Sequence, residues 1–269
     1  MTARLGLRGT GWSGRTALVS GGSRGIGLGI ARELAAVGVR VAIASRSNAS
    51  LRAATEAIES LGGGEVLAVR ADFGIEKEVH RAVARTREQF GRLDILVNNA
   101  GAAAIGPFLE LSTDAWVDAF QVKVFGAVFA SRAALPIMIE QQSGSILNIV
   151  GNSAVRSLPL QSASGSTCAA LLYLTRALAA EYAGRGIRIN ALSPGPTATS
   201  RWDSVVESIS RLDGERTPTQ VQADIDRAVP RGHIGQPVEI ARAALFLLSD
   251  DASFVNGAHL LADGGMTVA

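Results

Sequence analysis

Seven short aliphatic runs, set apart by longer segments of helical periodicity, constrain this chain more than any other feature. The runs are Thr16–Ser20, Val39–Ala44, Val66–Val69, Leu93–Val97, Ser145–Val150, Ile187–Ala191 and the stretch around His259–Leu261. They are continuously apolar, which is the pattern of strands covered on both faces. Parallel neighbours need a crossover, and the intervening helices supply it. The expected fold class is therefore α/β: a doubly wound, seven-stranded parallel sheet with helices on both faces. At 269 residues with 47% hydrophobic content, one core accommodates the whole chain. No internal repeat or long linker divides it, so 1–269 reads as a single domain with residues 1–13 as an N-terminal extension. Only Thr197–Arg231 breaks the alternation, with polar and charged residues ahead of the helix-like Pro237–Leu248. An insertion after a late strand lies over the carboxyl ends of a parallel sheet, so 197–231 is expected to be a substrate lid.

Composition removes several classes of function. The net charge is +2 with basic residues scattered along the chain, which argues against a nucleic-acid partner. No uninterrupted apolar run approaches the roughly 18 residues of a membrane span, so no membrane role is expected. Cys168 is the single cysteine, and Met1–Gly14 has no apolar core of signal-peptide length, so a cytoplasmic location is expected. His80, His233 and His259 show no metal-ligand spacing and read as surface or loop residues; no metal site is expected. The only lysines are Lys77 and Lys123, and the only tyrosines Tyr173 and Tyr182.

The first run leads into Ser20-Gly21-Gly22-Ser23-Arg24-Gly25-Ile26-Gly27, followed by a helical pattern. Strand, glycine-rich turn and helix form a dinucleotide-binding context, because glycines let backbone N–H groups approach a pyrophosphate at a helix N-terminus. With Asn98-Asn99-Ala100-Gly101, Ser193-Pro194-Gly195 ahead of Thr199, and Ala262-Asp263-Gly264-Gly265, the chain resembles the short-chain dehydrogenase/reductase family from about Gly14 to Ala269. The resemblance implies a Rossmann-type sheet and a nicotinamide cofactor held by Gly21, Ser23, Arg24, Gly25, Ile26 and Gly27. It also implies contacts from Asp72 and Phe73 at the adenine, from Asn98, Ala100 and Gly101, and from Pro194, Gly195, Thr197 and Thr199. A small-molecule substrate and a homodimer or homotetramer are further implications, the latter through the helices containing Val122–Ile139 and Ser164–Tyr182.

The second strand ends in Ala44-Ser45-Arg46-Ser47, where an NAD site would carry a carboxylate for the ribose hydroxyls. Arg46, Arg24 and the Ser45 hydroxyl suit a 2′-phosphate instead, so NADP(H) is expected over NAD(H).

In the resembled family a Tyr of Tyr-x-x-x-Lys exchanges the substrate proton. The Lys lowers that phenol's pKa, a Ser polarises the carbonyl, and an Asn completes the relay. Aligned on Ala169–Arg176, the Tyr position falls on Ser164, the Lys on Cys168, the Ser on Gly151 and the Asn on Lys123. No other register restores Tyr-x-x-x-Lys. A serine is a far weaker acid than a phenol, and a neutral thiol supplies no cation. The candidates for acid/base work are therefore Lys123, Ser164 and Ser153, the last standing in if the turn shifts. Cys168 reads as a small buried hydrophobe. Three functions remain open: an oxidoreductase with a non-standard proton path, a non-redox dehydratase, isomerase or cyclase on the same fold, and an inactive nucleotide-binding subunit.

Overall fold

Successive residues of each strand point to opposite faces of the sheet, and the two faces build two cores. Ala17, Val19, Val41, Ile43, Ile95 and Val97 enter one apolar cluster, while Leu18, Ala42, Ala44 and Leu96 enter the other. The computed structural model describes residues 11–62, 64–101 and 104–269. Its strands are β1 (Thr16–Ser20), β2 (Arg40–Ser45), β3 (Val66–Arg70), β4 (Ile95–Asn98), β5 (Gly144–Ile149), β6 (Ile187–Pro194) and β7 (His259–Ala262). They form one parallel sheet in the order β3-β2-β1-β4-β5-β6-β7. The order reverses between β1 and β4, and this switch point opens a crevice beyond the carboxyl ends of both strands. The glycine turn after β1 and Asn99-Ala100-Gly101 after β4 meet there.

Helices α1 (Gly25–Ala36), α2 (Asn48–Glu59) and α9 (Pro237–Leu248) cover the first face with Ile30, Leu34, Ile58 and Leu248. Helices α3 (Glu76–Phe90) and α5 (Gly126–Gln141) cover the second with Val79, Ala130 and Met138. Helix α6 (Ser162–Tyr182) lies against β6, and α4 (Thr113–Phe120) leads into α5 through a π-helical turn, Gln121–Phe125.

The structure refines three expectations. Trp12, inside the expected extension, is buried in the first core, with the Arg15 guanidinium over its ring; Met1–Thr10 of that extension lie outside the described residues. The polar segment 197–231 forms α7 (Ser200–Asp213) and α8 (Pro218–Ala228). A capping box starts α8: Thr217 Oγ1 accepts from Gln220 N while Gln220 Oε1 accepts from Thr217 N at 2.8 Å, with Pro218 in the first turn. Finally, the helical stretch Thr113–Gln141 does reach the length and mean hydropathy (1.6) of a membrane span. Here its Ala130, Ala134, Leu135 and Met138 are packed in the core over the sheet.

Candidate active site

The glycine turn is held shut by Ser20 and Asn99. Ser20 Oγ donates to Val97 O at 3.2 Å and accepts from Asn99 N and Ala100 N at 2.9 and 3.0 Å. Asn99 Nδ2 donates to the carbonyls of Ser20 and Gly21. Gly21 and Gly25 have φ of +61° and +54°, a region that glycine enters without strain. At Gly27 a Cβ would lie 2.3 Å from Gly21 O, so the absence of a side chain there sets how closely α1 approaches the turn. Helix α1 begins with no side-chain cap and no acidic residue in its first turn. Its free N–H groups and dipole therefore face the crevice, an arrangement that favours an anion.

The crevice is a cavity of about 1000 Å³, the upper end of the usual size for ligand sites. One end is lined by Ser45, Arg46, Ser47, Ser50, Asp72 and Phe73. Hydroxyls there form a short chain, with Ser50 Oγ donating to Ser23 Oγ at 3.2 Å and lying 3.5 Å from Ser45 Oγ. Arg46 is largely exposed and stands 3.9 Å from Asp72, whose other carboxylate oxygen accepts from Gly74 N at 2.9 Å. The glycine cradle, the uncapped helix end and this polar cluster together fit a dinucleotide of adenosine and pyrophosphate.

At the other end the π turn carries Lys123 into the cavity. A π turn adds a residue to the helical repeat and re-aims the side chains it contains, a device common at functional sites. Lys123 Nζ donates to the Val150 carbonyl and to Cys168 Sγ, the latter at 3.0 Å. The Cys168 thiol itself donates to Val150 O at 3.0 Å, and Ser153 Oγ lies 3.4 Å from the sulfur. Gly151 has φ of +123°, and a Cβ there would come within 3.2 Å of Cys168 Sγ. Ser164 lines the cavity one helical turn before Cys168. Arg201, at the start of α7, closes the ring by donating to Gly101 O at 2.8 Å. Desolvation among the cavity walls lowers its pKa, Cys168 acts in the opposite sense, and Arg24 lowers it further.

The family described as enoyl-(acyl carrier protein) reductase matches residues 21–267. Oxidoreductase UcpA of Salmonella typhimurium is 36% identical over 261 residues, covering 95% of both chains. The 2-(R)-hydroxypropyl-CoM dehydrogenase of Xanthobacter autotrophicus is 38% identical, covering 94% of this chain and 98% of its own. The chain belongs to the short-chain dehydrogenase/reductase family. Among solved structures, a variant of actinorhodin polyketide ketoreductase with NADPH superimposes with a TM-score of 0.92 at 30% identity. It covers 95% of this chain and 98% of its own. NAD+-bound xylitol dehydrogenase gives 0.89 at 30% identity, covering 93% and 98%.

Placed in this short-chain dehydrogenase/reductase fold, most of the expected site residues line one cavity: Gly21, Ser23, Arg24, Gly25, Ile26, Ser45, Arg46, Asp72, Phe73, Ala100, Gly101, Pro194, Gly195 and Thr199, with Lys123, Gly151, Ser153, Ser164 and Cys168. Gly27, Asn98 and Thr197 instead lie behind its wall. Asn98 is buried and donates to Asn148 Oδ1 at 2.8 Å, and Thr197 is buried with its hydroxyl on Gly195 O. Asn99 takes the cavity-facing place expected of Asn98, because side chains alternate at the strand end. His259 is not a surface residue: it is half-buried on β7, and its Nε2 lies 2.6 Å from Ser193 Oγ, which donates to Gly151 O. Burial, with Arg176 nearby, lowers its pKa. Sequence reasoning missed Ser47, Ser50, Arg201 and Met266, which also line the cavity. The run of hydroxyls after Arg46 was a usable signal for the first two, whereas nothing local marked the others.

Proposed function

We propose that this chain is an NADP(H)-dependent oxidoreductase acting on a small carbonyl or alcohol, with a proton-handling site rebuilt around Lys123. The family's Asn, Ser, Tyr and Lys positions fall on Lys123, Gly151, Ser164 and Cys168. The observation that carries the reading is the 3.0 Å contact between Lys123 Nζ and Cys168 Sγ. A cation lost from α6 is supplied from the facing π turn, so the site keeps an ammonium although its sequence position has moved. When bound, the nicotinamide cofactor exchanges the hydride. Lys123 stands at the cavity wall to hold or donate a proton at a substrate oxygen, with the Ser153 and Ser164 hydroxyls as polar neighbours. Preference for NADP(H) is supported by Arg46 and the Ser23, Ser45 and Ser50 hydroxyls around it.

The reading includes a single domain in which α7 and α8 act as a substrate lid. Trp202, Ile209 and Ile225 face the cavity, while Val205 and Val206 are buried beneath. Trp202 Nε1 donates to Gln222 Oε1 at 2.8 Å and ties the two helices into one unit. It also includes a cytoplasmic homo-oligomer joined through α4–α5 and α6, where Val117, Phe125 and Tyr173 are exposed.

The test is calorimetric titration of NADPH and NADH, followed by a panel of ketones, quinones, enones and imines with the absorbance of the reduced nicotinamide as readout. Tighter NADPH binding with turnover that Lys123→Ala abolishes is the expected result. Tight binding without turnover moves the reading to non-redox chemistry or an inactive subunit, and no binding refutes it.

A further inference from the structure

Among the described residues, four cationic side chains line the cavity, Arg24, Arg46, Lys123 and Arg201, against one carboxylate, Asp72. That carboxylate is at the adenosine end, 3.9 Å from Arg46. Arg24 is the N-cap residue of α1, where a pyrophosphate is favoured. Lys123 and Arg201 stand beside Gly101, Arg201 near enough to Arg24 to feel its charge, and neither has an ion-pair partner among the described residues. They flank the same glycine: a Cβ on Gly101 would lie 3.7 Å from Lys123 Cδ and 3.9 Å from Arg201 Nη1. Their hydrogen-bond partners are the Val150 carbonyl and the Cys168 sulfur for Lys123, and the Gly101 carbonyl for Arg201. Two charges gathered at the reacting end of a pocket without counter-charge leave strong donor capacity unused, since a guanidinium bonded through one N–H still presents a fork of others.

We infer that the substrate carries a carboxylate close to the carbon that reacts, held by the free edge of Arg201 with Lys123 as the second cation. Small oxo acids, or the corresponding hydroxy acids, are the class that fits. This rests on the oxidoreductase reading and narrows it to one kind of substrate. Arg201 is then a specificity residue, while Lys123 serves both the carboxylate and the proton. A neutral ketone of equal size gains none of these charge-assisted contacts and leaves both cations unpaired.

The experiment uses matched probes: pyruvate, 2-oxobutyrate and benzoylformate, each beside its methyl ester. Binding is measured by calorimetry with NADP+ present, and turnover with NADPH. We expect the acids to be preferred by roughly 10- to 100-fold in affinity and in kcat/KM. Arg201→Leu should erase the preference while leaving NADPH affinity within about threefold, and Arg201→Lys should keep part of it, because one cation is retained. Esters bound and reduced as well as acids by the unmodified protein overturn the inference and leave the oxidoreductase reading standing. An Arg201→Leu protein that loses NADPH affinity by the same factor as acid affinity also overturns it, assigning Arg201 to the cofactor phosphates. If neither these probes nor the wider carbonyl panel is reduced, the oxidoreductase reading fails, and the acid-against-ester comparison in the calorimeter still decides the carboxylate site.

Discussion

Replacing Cys168 by lysine puts a second ammonium on the helix face where Lys123 already ends. In the native site Lys123 Nζ lies 3.0 Å from Cys168 Sγ, so a lysine at 168 begins within contact distance of an existing cation. The longer side chain can swing its ammonium into the cavity, which gives separations of about 4 to 6.5 Å. At an effective dielectric of 20 these correspond to about 4 down to 2.5 kcal/mol of repulsion. In a Lys123→Asn background that repulsion is absent. Urea unfolding of the four proteins in the cycle, followed by tryptophan fluorescence, should therefore give a coupling of about 2–4 kcal/mol, with Cys168→Lys much less costly once Lys123 is gone. A parallel cycle with Cys168→Met controls for length, since methionine fills similar space without charge. A lysine cycle whose coupling lies within about 0.5 kcal/mol of the methionine cycle would refute the reasoning, because the side chains would then be excluding each other by volume alone.

Arg46→Ala should lower the ratio of NADPH to NADH affinity by roughly 10- to 100-fold, read by calorimetry; an unchanged ratio removes Arg46 from 2′-phosphate recognition. His259 has a folded pKa below its ordinary value, so the fold favours the neutral imidazole. Its stabilising contribution is present above the unfolded value, about 6.5, and is lost as pH falls from there through the lowered folded value. Urea unfolding at pH 7 and pH 5 should show a larger loss for the native protein than for His259→Gln, and equal losses would contradict this. Gly27→Ala forces a Cβ to 2.3 Å from Gly21 O and 2.5 Å from Asn99 Nδ2. Denaturant midpoints should report a cost of about 1–3 kcal/mol together with weakened NADPH binding, as α1 is pushed away from the turn.

Continuous aliphatic runs determined the parallel sheet on their own, because a strand covered on both faces has no polar side to show. The glycine spacing likewise determined the cofactor turn, since φ of +61° at Gly21 and the contact at Gly27 exclude larger residues. Local pattern also carried the boundaries of α9, Pro237–Leu248, which match the expectation. The polar segment before it broke the strand–helix alternation, yet its two helices carry local signals of their own: the Thr217-Pro218-x-Gln220 box starts α8, and Val205 and Val206 make a buried stripe on α7.

What only the tertiary structure decided concerns residues that are distant in sequence. Asn98 and Asn99 are adjacent and chemically identical, and only the direction in which β4 ends puts one into a buried network and the other on the cavity. His259 and Ser193 meet because β6 and β7 are paired in one particular register. Lys123 and Cys168 are 45 positions apart, and a lysine at helical spacing can face either solvent or the pocket. The π turn settled which, by adding a residue to the repeat and rotating Lys123 toward α6. Such long-range pairings depend on how helices and strands pack, which is cooperative over the whole core, so no window of sequence contains the information that brings the two side chains together.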